Sequence, residues 1–504
     1  MIKLRPYTKT IVRDVGLMLH IPGGMALVSL WVCVAFREFY AIAPFLLTSL
    51  VSFGIGQLLY RSVHQYSEEA HLRHAMITVA LSWGLIPLVG AIPFLAISSH
   101  LAPSPEISDT LLRFQNPWNA IFEAFSGFTS TGLTMALNPR ELPYSLQWWR
   151  SFMEWIGGVG TIVLMLSVLD PSTEPFQLYN AEGRSRRIAL TVTGTVRRIW
   201  KIYLIYTGVC IAVLGILGMP WWEALNHGLT VISTGGFDVT GESMSAYSPV
   251  IQLAIVPMMI AGAVGFAIHD RLLRHRQFSL LWKQEEYRTL WLLLGGGTLI
   301  LFLENYWFQG SFLWIDSLFQ WVSALTTCGF NTVKVETWSA SAKLLLSVAM
   351  AVGGAAGSTV GGLKIKRVLT LYKGVLWHFR RISLRPHQLM RYQLDGKSFG
   401  EAEAYRRIEG AAVLAVLWMS WLAIGVMVLN YLVPEKYQLS DTIFEAASAL
   451  SGVGLSTGIS HPDLQWGGKL VLILLMWMGR LEIIPVMLLL GSLMRRMKAS
   501  LFKF

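Results

Sequence analysis

Residues 122–134 read Phe-Glu-Ala-Phe-Ser-Gly-Phe-Thr-Ser-Thr-Gly-Leu-Thr, and a relative of this stretch returns at 444–456 as Phe-Glu-Ala-Ala-Ser-Ala-Leu-Ser-Gly-Val-Gly-Leu-Ser. Two weaker copies lie between them, at 225–237 and 319–330. In every copy a Glu, Asn or Gln precedes a Gly by the same number of residues, in the pairs Glu123 and Gly132, Asn226 and Gly235, Gln320 and Gly329, and Glu445 and Gly454. Because the copies recur only every 95–125 residues or so, roughly three times too far apart for a solenoid, they predict a ring of four similar units.

The composition is that of a membrane protein. Of the 504 residues, 54% are hydrophobic and 14% are charged, whereas a soluble protein carries about 25% charged residues. Many apolar runs reach the roughly 20 residues that a membrane helix needs. From these runs we predict ten spans, at about 15–36, 40–60, 75–98, 147–170, 197–218, 248–268, 287–306, 340–362, 408–433 and 467–492.

The order of spans and Gly-containing stretches predicts the architecture. Each stretch lies between two spans, so we expect an all-α polytopic membrane protein with four pseudo-repeated units around a central pore. Each unit would consist of a span, a pore helix, a filter loop and a second span, and the second span of repeat 3 would be broken. The predicted segments are 1–66 for two extra N-terminal spans, and 67–180, 181–276, 277–400 and 401–504 for repeats 1 to 4.

The basic residues predict the orientation. With a cytoplasmic N-terminus, 32 of the 41 Lys and Arg residues fall in cytoplasmic connections, eight fall outside, and Arg480 lies within a span. This bias is the one that the positive-inside rule describes. It predicts that both termini are cytoplasmic and that all four Gly-containing stretches are on the outer side. We therefore attribute the net charge of +11 to the orientation of the chain in the membrane, and we expect no nucleic-acid partner.

The longest cytoplasmic connection is the basic segment 364–407, which we expect to begin with a helix over 364–381. It is either an orientation signal or a docking surface for a cytosolic subunit. The three Cys residues, Cys33, Cys210 and Cys328, have no metal-ligand spacing. We therefore expect no disulfide framework and no cofactor in this chain.

The Gly-containing stretches have the chemistry of a cation filter. Irregular backbone is tolerated at membrane depth only where it lines a cavity or is buried in protein. Gly permits backbone geometry that turns carbonyls inward, and rings of carbonyl oxygens replace the hydration shell of K⁺. The four filter segments, 130–133, 233–236, 327–330 and 452–455, contain no Asp or Glu, which disfavours selection by carboxylate rings. The predicted filter residues, which would hold K⁺ through backbone carbonyls, are Ser130, Thr131, Gly132, Leu133, Ser233, Thr234, Gly235, Gly236, Thr327, Cys328, Gly329, Phe330, Gly452, Val453, Gly454 and Leu455.

Glu123 and Glu445 are expected at the start of their pore helices. One interpretation is favourable placement at a helix N-terminus, worth about 0.3–1 kcal/mol each. The other interpretation is an outer vestibule that attracts cations.

A Gly-rich run at 353–362 interrupts the last span of repeat 3. Because each Gly disfavours a helix by about 1 kcal/mol relative to Ala, we expect a break below the filter. The run is not a nucleotide-binding loop, since Leu363 and Lys364 follow where such a loop requires Lys and then Ser or Thr. Close helix packing through small residues is the alternative. The predicted gate residues are Gly353, Gly354, Gly357, Ser358, Gly361, Gly362 and Arg480.

Arg480 is the one basic residue predicted to lie inside a span. A charge there is expensive and marks a functional site by default. It either forms a structural ion pair, for which Glu154 and Glu482 are the candidate partners, or faces the pore and repels cations beside the Gly-rich loop.

These motifs resemble those of the TrkH-type potassium uptake proteins of bacteria, in the Trk/Ktr/HKT superfamily. The resemblance runs nearly end to end and rests on the four filter glycines and on the segments 148–150, 155–158, 353–367 and 479–482. It implies K⁺ uptake across the bacterial inner membrane, a homodimer embedded in membrane lipid, and an intramembrane loop that blocks the pore. It also implies a cytosolic ring of TrkA-like nucleotide-binding regulatory subunits. Gly132 stands where the Na⁺-preferring plant relatives carry Ser, which implies K⁺.

Two other functions fit parts of the sequence. A Na⁺- or H⁺-coupled K⁺ symporter would use the same filter and would need a second ion site, for which Glu154 and Glu482 are the candidates. A membrane-embedded enzyme would need convergent reactive groups at membrane depth, but His20, His227 and His269 are scattered through separate units. We therefore expect a transport protein and not an enzyme.

Overall fold

The computed structural model describes residues 6–63, 72–102, 107–160, 192–310, 312–385 and 390–501. These residues are almost entirely helical, as the sequence predicts, apart from an antiparallel hairpin of β1 (Tyr392–Leu394) and β2 (Lys397–Phe399). The helices are α1 (Pro6–Met18), α2 (His20–Ala35), α3 (Ile42–Val63), α4 (Leu72–Gly90), α5 (Ile92–Leu101), α6 (Asp109–Leu112), α7 (Pro117–Phe128), α8 (Tyr144–Val159), α9 (Val192–Ile216), α10 (Trp221–Ser233), α11 (Pro249–Gly262), α12 (Phe266–His275), α13 (Leu280–Lys283), α14 (Glu285–Gln309), α15 (Trp314–Leu325), α16 (Ala340–Val352), α17 (Ile365–Ser383), α18 (Glu401–Leu432), α19 (Leu439–Ser451), α20 (Trp466–Arg480) and α21 (Ile484–Leu501).

Six continuous helical segments among the described residues are long and apolar enough to cross a membrane. They match six of the ten predicted spans, including the two extra ones at the N-terminus. The segments are Thr8–Ala35, Phe39–Val63, Leu72–Leu101, Gly194–Ile216, Glu285–Phe308 and Glu401–Leu432.

The other four predicted spans are the second helix of each repeat, and their described parts are short or bent. α8 ends at Val159 and α16 ends at Val352, and the glycine that follows each helix, Gly160 or Gly353, has a positive φ. α11 and α12 meet at an angle of 103°, and α20 and α21 meet at 119°. The break in repeat 3 was predicted, whereas the prediction of unbroken spans at 248–268 and 467–492 is wrong.

Hydropathy could not reveal these two bends, because each bent pair of helices is together long and apolar enough to be taken for one span. The remainder of the predicted fourth span, beyond Gly160, lies outside the described residues. The predicted boundaries after residues 66 and 180 lie outside them as well.

Four short helices, α7, α10, α15 and α19, are the predicted pore helices. Each is followed by a Gly-containing turn and then by a second helix, which we call the exit helix; the exit helices are α8, α11, α16 and α20. Each exit helix packs against its own pore helix and against the pore helix of the next repeat, in the pairs α8 with α10, α11 with α15, α16 with α19 and α20 with α7. Since the last pair returns to the first repeat, the four repeats close into a ring.

The sequence specifies where the pore helices begin. The Asn116 side chain accepts a hydrogen bond from the backbone N–H of Trp118, and Pro117 occupies the first helical position, where its missing N–H costs nothing. At α19, Gln438 and Asp441 form a reciprocal capping box. Capping groups thus define the starts of α7 and α19, whereas α10 and α15 begin without a side-chain cap.

In the connection predicted to be cytoplasmic, α17 spans Ile365–Ser383 and confirms the predicted helix at 364–381. It packs against α14 and α18. Lys373 of α17 connects α14 to the hairpin. Its ammonium group lies 2.5 Å from Glu285 in α14 and donates a hydrogen bond to the carbonyl of Gln393 in the hairpin.

A buried ion pair links repeat 3 to repeat 4. Lys343 in α16 lies 2.6 Å from Asp441 in α19, and both side chains are under 10% exposed. Removing one member of such a pair leaves an uncompensated buried charge, which costs about 3–5 kcal/mol.

We expect Lys343→Met to lower the stability of the purified protein by about that amount, measured by thermal unfolding in detergent. Adding Asp441→Asn should recover most of the loss, because the unpaired carboxylate is then gone. The matched control is Lys334→Met, which removes an exposed lysine. Equal losses from the single and the double variant would contradict the ion pair.

Candidate functional site

Every pore helix ends in the same kind of turn. The turn begins with a residue in the left-handed conformation, and these residues are Ser130, Thr234, Thr327 and Gly452, with φ between 49° and 63°. The N–H of the next residue donates to a carbonyl five residues earlier, in the pairs Thr131 and Ser126, Gly235 and Thr230, Cys328 and Ser323, and Val453 and Ser448. This is the Schellman arrangement that ends many helices. Three of the four left-handed residues are not Gly, which costs about 1–2 kcal/mol each.

Two residues further on, each turn contains a glycine with φ between 85° and 96°: Gly132, Gly236, Gly329 and Gly454. We name the segments 130–133, 234–237, 327–330 and 452–455 turns 1 to 4. A Cβ atom on each glycine would collide with a carbonyl oxygen of a neighbouring turn, in the pairs Gly132 with Gly235, Gly236 with Cys328, Gly329 with Val453, and Gly454 with Thr131. The contacts run from turn 1 through turn 4 and back to turn 1, so the turns form a closed ring.

The structure corrects the sequence alignment in repeat 2. Gly236, and not Gly235, has the positive φ and the neighbouring-turn contact of Gly132. Ser233 is the last residue of α10 and therefore corresponds to the end of a pore helix, not to Ser130. Equivalent filter candidates in repeat 2 are thus residues 234–237, and Phe237 was missed.

A signal for the correct register is present in the sequence. Leu133, Phe330 and Leu455 each follow the aligned Gly, and Phe237 follows Gly236 in the same way. The polar residue of the pore helix shifts by one position as well, so His227 and not Asn226 is the counterpart of Glu123.

Glu123 and Glu445 are not at the helix starts, and both sequence interpretations of them are wrong. Their helices begin at Pro117 and Leu439, so each Glu is well past the first turn. Both side chains are 0% exposed, and neither faces a vestibule.

These two carboxylates instead hold the chain as it leaves its turn. Glu123 accepts hydrogen bonds from the Thr134 hydroxyl (2.8 Å) and the Met135 N–H (2.7 Å). Glu445 accepts them from the Ser456 hydroxyl (2.8 Å) and the Thr457 N–H (2.9 Å). The pore helices α7 and α19 thus each fix the segment of chain that follows their own turn.

Arg150 in α8 joins turn 1 to turn 2. Its Nε lies 2.7 Å from the Glu123 carboxylate, and its Nη2 donates to the Thr134 hydroxyl at 3.0 Å. Its Nη1 donates to the backbone carbonyl of Asp238 at 2.7 Å, and the guanidinium lies 4.1 Å from the centre of the Phe237 ring. The side chain is 1% exposed, so this network is desolvated.

An open cavity lies on the side of the turns that is predicted to face outward. It is lined by the turn glycines and by Asp238, Glu242 and Glu336, together with Lys334. Burial raises the pKa of the Asp238 carboxyl, and the nearby Arg150 opposes that rise. The cavity walls thus include three carboxyl groups close to the ring of turns.

Six of the seven predicted gate residues, all except Arg480, lie directly under three of the turns, in a loop at 353–364 that we call the gate loop. The Gly361 N–H donates to the Thr327 hydroxyl of turn 3 at 3.1 Å. The Thr359 hydroxyl lies 3.2 Å from that of Thr234 in turn 2. A Cβ atom on Gly361 would collide with the Ser451 carbonyl at the end of α19, so the loop fits closely beneath turn 4.

The start of the gate loop is bound to repeat 2. The Ala355 N–H donates to the Ala263 carbonyl, and the Phe266 N–H donates to the Gly357 carbonyl, both at 3.0 Å. The Ala356 N–H donates to the Glu286 carboxylate at 2.7 Å. The loop therefore sits in the bend between α11 and α12.

Arg480 ends α20 and shares a cavity with the gate loop. The cavity lies below turns 1 and 4 and is lined by Ser130, Gly452, Ser358 and Arg480, among others. The Arg480 guanidinium donates to the carbonyls of Gly157 and Gly158 at the end of α8 and lies 5.1 Å from the centre of a Trp83 ring.

The two carboxylates proposed as Arg480 partners bind other groups. Glu482 lies 2.5 Å from Arg367 and 3.3 Å from Lys364, while Glu154 binds the backbone of Phe237. Sequence reasoning missed Lys364 and Arg367, although both directly follow the Gly-rich run. Their ion pairs with Glu482 join the end of the gate loop to the bend after α20.

The close approach between turns generates a prediction. Gly329→Ala adds a methyl group that collides with the Val453 carbonyl and occupies a positive φ. We expect the cation flux of this purified variant in liposomes to be at least ten-fold lower than that of the wild-type protein.

The control is Gly208→Ala in α9, where nothing lies within 4 Å of the added carbon and flux should not change. Wild-type flux in Gly329→Ala would contradict a functional ring of turns.

Comparison with known proteins identifies the family of the chain. The family model described as TrkH, cation transport protein, matches residues 42–499. An uncharacterised cation transporter of Methanocaldococcus jannaschii is 32% identical over 492 residues, which cover 95% of this chain and 96% of that protein. The Trk system potassium uptake protein TrkH of Vibrio parahaemolyticus is 29% identical over 505 residues, which cover 96% and 98%.

A solved structure also matches. The crystal structure of the potassium transporter TrkH from Vibrio parahaemolyticus superposes with a TM-score of 0.81 and 26% sequence identity, covering 96% of this chain and 98% of that chain. The family match, the two relatives and the shared fold all extend over nearly the whole length. The chain therefore belongs to the TrkH family of cation transport proteins.

Proposed function

We propose that this protein carries K⁺ into the cell through the ring of turns 1 to 4. The observation that carries the proposal is the closed ring of four equivalent turns, each with a glycine packed on the backbone of its neighbour. Such a ring can surround an ion with backbone carbonyls in place of water. The four turns contain no Asp or Glu, so the ion would be bound by dipoles and not by full negative charges.

The choice of K⁺ is supported by the relatives. The aligned proteins of Salmonella typhimurium and Vibrio parahaemolyticus are named potassium uptake proteins, and this chain aligns with them over nearly its full length. Gly132 also retains the glycine that the Na⁺-preferring plant relatives replace with Ser. The carboxyl groups in the outer cavity would raise the local cation concentration at its mouth.

The gate loop and Arg480 would control passage below the ring. The loop fills the space beneath turns 2 to 4, and Arg480 places a positive charge in the cavity below turns 1 and 4. A fixed cation on the path of another cation raises the barrier to its passage. Opening would require the loop and the guanidinium to move aside together.

The proposed membrane location, orientation and partners rest on the distribution of basic residues and on the family resemblance. The protein would lie in the bacterial inner membrane with both termini in the cytoplasm, as a homodimer in contact with membrane lipid. A cytosolic ring of TrkA-like nucleotide-binding subunits would act on the basic region formed by α17 and the hairpin. That region is physically joined to the gate loop, since α17 begins at Ile365 directly after it.

A Na⁺- or H⁺-coupled symporter is less well supported. Its second ion site would need the intramembrane carboxylates Glu154 or Glu482. Glu482 forms ion pairs with two basic residues, and Glu154 accepts a backbone hydrogen bond. Both are therefore already engaged in contacts within the protein.

The test is ion flux through the purified chain in liposomes under a K⁺ gradient alone. K⁺ flux that exceeds Na⁺ flux under the same gradient supports the proposal. Flux that requires an added Na⁺ or H⁺ gradient supports the symporter. Equal K⁺ and Na⁺ flux would contradict a K⁺-binding ring.

Arg480→Ala removes the positive charge from the cavity below the turns. We expect K⁺ flux without any partner subunit to rise several-fold, because the electrostatic barrier is lowered. Arg495→Ala, an equal loss of charge at an exposed position of α21, should leave flux unchanged. An unchanged flux in Arg480→Ala would exclude a blocking role for Arg480.

Glu482→Gln weakens the attachment of the gate loop end to the bend after α20, since two ion pairs are lost. We expect a several-fold rise in partner-independent K⁺ flux, with K⁺ preference retained because the turns are untouched. Glu435→Gln, at an exposed outer position, is the control. Reduced flux in Glu482→Gln would mean that the ion pairs hold the loop open instead.

A further inference from the structure

One exit helix differs from the other three at a buried position. The exit helices can be aligned by a glycine near their ends, at Gly157, Gly262, Gly353 and Gly479, and each glycine follows a Gln or Lys by the same interval, at Gln147, Gln252, Lys343 and Lys469. Three residues before the glycine, repeats 2 to 4 have a fully buried methionine, at Met259, Met350 and Met476. Repeat 1 has Glu154 there, and it is equally buried at 0% exposure.

Glu154 contacts two turns at once. Its carboxylate accepts the backbone N–H of Phe237 in turn 2, at 3.0 Å to Oε2 and 3.2 Å to Oε1. Its own backbone carbonyl accepts the hydroxyl of Ser130 in turn 1, at 2.8 Å. No other side-chain carboxylate among the hydrogen bonds of the described residues binds the N–H of a residue within turns 1 to 4.

Turn 2 has no side chain at the place that this carboxylate occupies, because residue 235 is a glycine. The three heavy atoms nearest to a Cβ atom placed on Gly235 all belong to Glu154: two atoms of its carboxyl group at 2.4 Å and its Cβ at 3.0 Å. The backbone of Gly235 does not need a glycine, since its φ is not in the positive range. At the equivalent positions the other turns carry the side chains of Thr131, Cys328 and Val453. Space for Glu154 is therefore the physical reason for a glycine here.

A buried carboxylate is more costly than a methionine at the same place. Replacing buried charged groups by well-packed apolar ones is often neutral or stabilising, and three repeats already show that Met packs at this position. Stability alone therefore does not account for Glu154. Its contacts instead fix the distance between turn 2 and turn 1.

We propose that Glu154 is a positioning residue for ion selectivity, and that its hydrogen bond to Phe237 holds turn 2 at the spacing from turn 1 that favours K⁺ over Na⁺. This inference rests on the proposed function. Selectivity in a carbonyl filter depends on the size of the site and on the number and field of its carbonyls. A turn 2 without this anchor could approach the axis more closely and accommodate the smaller Na⁺.

The test compares variants that keep or remove the acceptor. Glu154→Gln retains an acceptor oxygen of the same reach. Glu154→Met introduces the residue of the other three repeats. Glu154→Asp keeps the carboxyl group but shortens the side chain by one carbon. Ser151→Ala is the control, since the buried Ser151 hydroxyl bonds only within α8, to the Gln147 carbonyl.

The measurement is the K⁺/Na⁺ permeability ratio, obtained from reversal potentials under bi-ionic conditions with the purified full-length protein. We expect the ratio to fall at least five-fold in Glu154→Met and in Glu154→Asp, to stay within two-fold of wild type in Glu154→Gln, and to be unchanged in Ser151→Ala. Rescue by Gln distinguishes the hydrogen bond from the charge. A wild-type ratio in Glu154→Met would overturn the proposal, as would an equal loss in Glu154→Gln.

A second measurement does not depend on selectivity. Gly235→Ala should lower the thermal stability of the wild-type protein, because its methyl group meets Glu154, and should lower it much less in a Glu154→Ala background. Additive effects of the two changes would overturn the contact on which the proposal depends. A wild-type protein that does not discriminate K⁺ from Na⁺ would instead contradict the proposed function, and the thermal cycle would still test the contact.

Discussion

The structure depends on one steric constraint, which is that four turns of a single chain meet with no space for a methyl group between them. Each turn contributes a glycine whose Cα lies against the backbone of the next turn, and the sequence of contacts closes on itself. Only glycine fits both the contact and the positive φ. The pore helices, the carboxylates behind the turns and the packing of each exit helix on the next repeat all serve to bring the four glycines together.

The four repeats share this ring but not the parts around it. Repeat 1 carries the polar network of Arg150 and Glu154, where the other exit helices are apolar at the aligned Glu154 position. Repeat 3 carries the gate loop, which replaces a continuous exit helix, and repeat 4 carries Arg480. The amide of Gln320, aligned with Glu123 and Glu445, has no hydrogen-bond partner among the described residues. Turns 1 and 4 are thus anchored by carboxylates of their own pore helices, while turn 2 is anchored from α8.

Much of the ring could be predicted, because the residues that form each turn lie close together in the sequence. The pairing of Glu123 with Gly132 and of Glu445 with Gly454 predicted the repeats, and the Gly-rich run predicted the break after Val352. The register of repeat 2 failed because Gly235 and Gly236 are adjacent, and the interval from Asn226 selects the wrong one. The role of Glu482 could not be predicted from the sequence, since its ion-pair partner Arg367 is 115 residues away along the chain. Contacts of this kind depend on the closed ring, which no local pattern contains.

The most direct test of the central claim is to locate the ion. Crystals of the protein grown or soaked in Rb⁺, a scatterer that substitutes for K⁺, would give an anomalous difference map. We expect a peak on the axis of the ring, surrounded by the backbone of turns 1 to 4 and lost in Gly329→Ala. Peaks that lie only against carboxylates such as Glu154 or Glu336, with none inside the ring, would contradict it.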